Sequence, residues 1–219
     1  PDQVVELLGD LGHDGWQILT HVQGDRGSRE MLDLYEQVLA AGAPADHRWR
    51  LEHCALTTPE DLRRAHRLGV SPSFHVDHVR NYGPELSADI LGPERADRLM
   101  PINTALECGH KVSLHSDAPM YPANPLGLAR TAVSRLTRTG ERLAPAEAIS
   151  VRQALAAVTI DAAWQLRLDD EVGSLEPGKR ADLTVLDQDP TVEPHPDLDD
   201  VAVVATWLDG EPISAPTPA

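Results

Sequence analysis

The chain has 219 residues, the size of one domain or at most two small ones, and 41% of them are hydrophobic, enough for a packed core. Its formal net charge of −16, with no Lys/Arg cluster among aromatics, argues against nucleic-acid binding, because phosphate backbones would repel it. No run of about 18 apolar residues is present to span a bilayer.

Two cysteines, Cys54 and Cys108, are too few for a disulfide framework, so a reducing, cytoplasmic setting is expected. The apolar residues are mostly Leu, Val and Ala, with one Phe and three Tyr, a mixture that suits βα units better than an aromatic-rich sandwich.

In chain order, Pro1 to Leu8 reads as an amphipathic helix entered in mid-protein. Trp16 to Val22 is a short apolar run, and Ser28 to Ala41 carries Met31, Leu32, Tyr35, Val38 and Leu39 at helical spacing. Gly42 and Pro44 stop that helix. Trp49 to Cys54 reads as a strand. Thr58-Pro59-Glu60-Asp61 is a helix start, with a hydroxyl cap, a proline at the first position and acids in the first turn. Gly69 closes that helix, and Val70 to Val76 is the next strand. A polar loop is expected over 77–93, then a helix over 94–107. Lys111 to Asp117 is the fourth strand, followed by helices near 125–138 and 151–166.

Four βα units in a row predict a parallel sheet with right-handed crossovers. A (β/α)₈ barrel needs about 250 residues and eight strands. The expected fold is therefore α/β, half of a TIM-type barrel over residues 1–168. Its raw edges call for a second half from elsewhere, or for a homodimer. Residues 181–187 and 201–208 then read as strands of a small β domain spanning 169–214, with Asp209-Gly210 as a hairpin turn and 215–219 as a disordered tail.

Several of these strands end in residues that can bind a metal ion. His21 closes the first, His53 the second and Asp117 the fourth, while the third ends in His75-Val76-Asp77-His78. The C-terminal strand ends of a βα barrel converge on one mouth, so these residues meet despite their distance in sequence. Imidazole and carboxylate from separate strands suit Zn²⁺ or a similar cation with one position left for water. Taken singly, a histidine near a strand end is more often a hydrogen-bonded surface residue, and Asp117 alone could be a helix cap. Their common registration is what separates them from His13, His47, His66, His110 and His195, which are read as structural.

The local sequences around these residues carry a resemblance. Thr20-His21-Val22-Gln23-Gly24-Asp25, Leu51-Glu52-His53, Ser116-Asp117-Ala118-Pro119 and Gly173-Ser174-Leu175-Glu176-Pro177-Gly178-Lys179-Arg180-Ala181-Asp182-Leu183 are similar, in that order, to motifs of the amidohydrolase superfamily, YtcJ-like branch. The resemblance covers about His21 to Gly210 and implies barrel strands five to eight plus strands of the accessory β-sandwich. It implies one or two divalent ions, Zn²⁺ by preference, with His21, His53 and Asp117 as ligands and Asp117 also as proton shuttle. Asp25 and Glu52 would orient ligating histidines. His78, Arg80 and Tyr82, in the third βα loop, would contact a small amide-type substrate.

The implied chemistry is hydrolysis of a C–N bond in an amide, a formamide or a related group. The family's first-strand His-x-His pair and its strand-four bridging residue have no counterpart in this chain, and Lys111 and Lys179 are wrongly placed to bridge. The chain is therefore expected to hold part of the active site and to be inactive without the N-terminal barrel half. The competing readings are a non-catalytic half-barrel and a metal-binding regulatory protein.

Overall fold

The computed structural model describes residues 2–42, 44–192 and 197–213. His195 and the 215–219 tail lie outside them. Helix α1 (Asp2–His13) leads into β1 (Leu19–Val22), α2 (Asp25–Ala40), β2 (Arg50–His53), α3 (Pro59–Arg67) and β3 (Ser71–Phe74). Helix α4 (Asp77–Glu85) runs into a π-helical turn (Leu86–Ile90), then α5 (Pro93–Ala96), α6 (Ile102–Glu107) and β4 (Ser113–Leu114). After these come α7 (Pro125–Ser134), a 3₁₀ turn (Pro145–Glu147), α8 (Val151–Ala157) and α9 (Ile160–Gln165).

The first four strands pair in the order β1-β2-β3-β4, and every pairing is parallel. Sequential parallel order with helical crossovers is the construction of a βα barrel, and four of its eight strands are described here. Trp16, 64% exposed, and Leu19, 46% exposed, lie along the outer edge at β1.

Local chemistry explains most boundaries. The Thr58 hydroxyl accepts the Asp61 amide, Pro59 opens α3, and Gly69 (φ +71°) turns the chain out of it. Ser150 and Gln153 form a reciprocal capping box at α8.

Four expectations are corrected. The 77–93 segment is mostly helical, although Pro84 lies inside α4. Proline lacks the amide that would reach the Arg80 carbonyl, and that carbonyl instead accepts the Arg138 amide at 2.8 Å. The helix expected over 94–107 is two short ones, parted where Met100 (φ +52°) precedes Pro101. The helix expected over 151–166 likewise breaks, at Thr159. The strand expected over 111–117 pairs only at Ser113 and Leu114.

Strand alternation gives the sheet two different faces. Leu51 and Phe74 point into the apolar layer shared with the helices, where Leu32, Tyr35 and Leu62 are fully buried. The opposite, inner face carries Arg50, Glu52, Ser71, Ser73 and Ser113 in register. Arg50 Nε donates to Glu52 at 2.7 Å along that face. Gln165, 1% exposed, closes its N-terminal end. The Gln165 amide nitrogen donates to the Pro72 and Lys111 carbonyls, its oxygen accepts from Ser113, and its backbone carbonyl accepts from Gln17 and Arg50.

A second, antiparallel sheet joins β5 (Leu183–Leu186), β6 (Val203–Leu208) and β7 (Glu211–Ile213). Asp209 (φ +53°) and Gly210 (φ +80°) form the tight turn between the last two strands. Asp199, in the segment leading to β6, pairs with Arg130 of α7 at 2.8 Å.

His110 provides a probe of this packing. It is 7% exposed, its Nε2–H donates to the Leu62 carbonyl, and its ring lies 5.2 Å from that of His66. Burial pushes its pKa down to about 4, below the roughly 6.5 of an unfolded histidine. The unfolded chain thus binds the extra proton first. Stability is complete above about pH 6.5 and falls as pH drops towards about 4, by on the order of 3 kcal/mol from this group. Melting temperatures measured across that window in wild type and His110→Gln test it. The variant should show a shallower decline, and an unchanged slope rules His110 out as a source.

Candidate functional site

Alternation along β2 would aim His53 at the helices, alongside Leu51. The residue instead has φ +72°, and its ring lies among inner-face histidines, 4.4 Å from His21, 5.6 Å from His75 and 5.0 Å from His115 between ring centroids. Asp117 is also left-handed, at φ +55°. Such torsions are sparse outside glycine and cost of order 1–3 kcal/mol, and they cluster where a site imposes them. One ligand atom each from His53, His75 and Asp117 fall within 4.8 Å of one another.

Around this trio, His75 is fully buried, and the ring of His78 lies tilted against it with centroids 4.0 Å apart. Both ring nitrogens of His75, Nδ1 of His53, Nε2 of His115 and the Tyr121 hydroxyl are buried without a hydrogen-bond partner. Each such orphan costs about 1–3 kcal/mol. Burial, aided by the neighbouring His78 and His115, lowers the His75 pKa to about 3, and burial lowers that of His115 to about 4. His53 and His78 are lowered too, chiefly by burial. Neutral imidazoles with free lone pairs beside a carboxylate are a donor set that fits a divalent cation.

The other residues singled out in the sequence are placed as follows. His21 packs edge-on against His53 but is not one of the three mutually close ligands. Glu52 accepts from Arg50, and its other oxygen is 3.9 Å from His115 Nε2. Asp25 accepts from Arg95 at 3.0 Å and makes no histidine contact. His78 and Tyr82 line one pocket, and Arg80 lines another with Asp77, Tyr121 and Arg130. A cleft of about 460 Å³ opens beside Glu52, His53, His115 and Asp117.

Neither His75 nor His115 is singled out by the motifs that mark His21, His53 and Asp117. His75 sat within the His-Val-Asp-His cluster, and His115 lies two residues before Asp117, on the same face by alternation. Cys54, next to His53, is fully buried, which pushes its thiol up to about 12 and leaves it unreactive.

Comparison with known proteins agrees with this architecture. The family model described as "Amidohydrolase family" matches residues 1–214. The chain is 35% identical over 213 residues to Protein LONG AFTER FAR-RED 3 of Arabidopsis thaliana, covering 96% of this chain and 36% of that protein. It is 33% identical over 202 residues to the N-substituted formamide deformylase of Arthrobacter pascens, covering 90% of this chain and 36% of that one. A solved metal-dependent hydrolase from Pyrococcus horikoshii superposes with a TM-score of 0.75 at 24% identity, covering 91% of this chain and 39% of that one. The chain belongs to the amidohydrolase family, with the α/β fold of the C-terminal half of its barrel, and it spans little more than a third of the length of these relatives.

The orphaned nitrogens set an expected outcome. Zn²⁺ added to metal-free protein should raise its melting temperature by mass action, and His75→Ala should remove most of that rise. An equal rise in the variant shows that His75 is no ligand.

Proposed function

We propose that the chain forms the C-terminal half of the active site of a metal-dependent hydrolase of C–N bonds in amides, formamides or related small molecules. The observation that carries this reading is the convergence of His53, His75 and Asp117 within 4.8 Å at the mouth of the parallel sheet, with buried imidazole nitrogens left unpaired. His21, edge-on to His53, stands beside them as a further ligand for one or two ions. Zn²⁺ fits best, because imidazole and carboxylate are its usual donors in catalytic sites.

When bound, such a cation polarises a carbonyl and lowers the pKa of water towards about 7. The protein's own part is positional and protonic. A carboxylate oxygen of Asp117 takes a proton from the attacking water and returns it to the leaving nitrogen. Glu52, held by Arg50, faces His115 and fixes the floor of the cleft. His78 and Tyr82, which line one neighbouring pocket, and Arg80, which lines another, contact the substrate. Residues 1–168 form the barrel half and 169–214 the accessory β unit.

The remaining ligands come from the N-terminal barrel half, which docks along β1, and the 219 residues alone are inactive. The two cysteines are free, and among the described residues no helix is long and apolar enough to cross a membrane. A reducing compartment, the cytoplasm, suits both.

Asp117→Asn in the complete enzyme keeps the size of the side chain, and asparagine tolerates the same left-handed torsion. It should lower kcat by about 10²–10⁴-fold. His53→Ala should instead lower metal content. Turnover and metal content measured together separate the two defects. Normal turnover by metal-loaded Asp117→Asn refutes the proton-transfer role.

A further inference from the structure

Beside the histidine cluster lies a second pocket of about 340 Å³, which shares no lining residue with the cleft at Asp117. Leu56, Leu86, Ile90, Leu91 and Leu99 line it. Residues that follow the ends of β1 and β2, Gln23, Gly24 and Ala55, complete one wall. It adjoins the cluster through His78, which lines it and whose ring centroid lies 4.0 Å from that of His75.

The far wall is the π-helical turn, in which the Leu91 amide reaches back five residues to the Leu86 carbonyl. Single π turns are frequent at functional sites. This one is held in place rather than loose. The Arg80 carbonyl freed by Pro84 is taken by the Arg138 amide, Arg138 Nε donates to the Asn81 carbonyl, and its guanidinium pairs with Glu85. A Cβ on Gly83 would lie 2.9 Å from Thr137 Cγ2, so α4 is packed against this anchor without slack. The wall nonetheless leaves large apolar groups uncovered, with Ile90 69% and Tyr82 44% exposed.

We infer that this pocket is the specificity pocket for an apolar arm of the substrate, of the size of one or two rings, carried by the amide whose C–N bond lies at the histidine cluster. The inference rests on the hydrolase reading for the identity of the bond, but not for the chemistry of the arm. An apolar cavity of about 150 Å³ is enough for benzene, so the volume suits a benzyl group or a longer aryl-alkyl chain. A fixed, preformed wall lowers the cost of seating such a group. The leucines offer a charged arm no partner, and of the Glu85 oxygens at the rim one pairs with Arg138 while the other is buried without a hydrogen-bond partner.

Two measurements on the complete protein test this. Methyl resonances of Leu86, Ile90 and Leu91 are followed by NMR while benzyl alcohol, which offers no bond to hydrolyse, is added, with methanol as control. Benzyl alcohol should shift these methyls saturably, and methanol should not. Absence of shifts, or equal shifts with both, overturns the pocket. In turnover, amides bearing a benzyl group on the acyl or the amine side are compared with their methyl counterparts. One of the two series should favour benzyl by at least about tenfold in kcat/KM. Ile90→Glu and Leu86→Glu should each bring that ratio towards one. No preference in either series, or a preference untouched by both substitutions, also overturns it. Saturable methyl shifts without turnover of any amide would reject the hydrolase reading while supporting the pocket.

Discussion

The registered parallel pairing of β1 to β4 is the constraint on which the rest of the molecule depends. His21 stands opposite Glu52, His53 opposite Phe74, and Phe74 opposite Leu114, so the residues just beyond each strand emerge at one level. A one-residue slip in any pair would exchange inner and outer faces. It would send Leu51 or Phe74 to the polar side and His75 or His115 into the leucine layer. The apolar packing under the helices therefore sets the height and direction of the polar groups at the mouth, without touching them.

Departures from regular geometry finish what register begins. The left-handed torsion at His53 takes a side chain that alternation assigns to the core and brings it among inner-face rings. Asp117 has a similar torsion three residues beyond β4. Strain of this kind persists only where surrounding contacts over-determine it. At β2 these include the Cys54 amide on the Val22 carbonyl and the Cys54 thiol donating to the Leu51 carbonyl.

Much of this organisation was legible in the sequence because it is written in local chemistry. The Thr58-Pro59 helix start, the Gly69 stop and the Asp209-Gly210 turn all depend on one or two residues. The strand-end position of His53 follows from a hydrophobic run of the right length, whereas Asp117 lies three residues beyond the paired part of β4. The helix over 77–85 was hidden because Pro84 reads as a breaker, and its compensation comes from Arg138, 54 residues further on by numbering. His75 and His115 went unassigned for a related reason. Their neighbours lie on other strands, and only the folded sheet shows that their nitrogens have no partner.

The inner face of the half-barrel has a consequence for assembly. Barrel interiors are commonly filled by branched aliphatic side chains, but Arg50, Glu52 and three serines occupy this one, with Gln165 stitched across its end. The water-expelling contacts that order these strands lie on their outer side, against their own helices. Meeting the proposed second half would thus expel little oil-like surface from water at the axis beyond Trp16 and Leu19 along β1. Closure in that assembly would rest largely on matching strand edges, a directional and partner-selective contact.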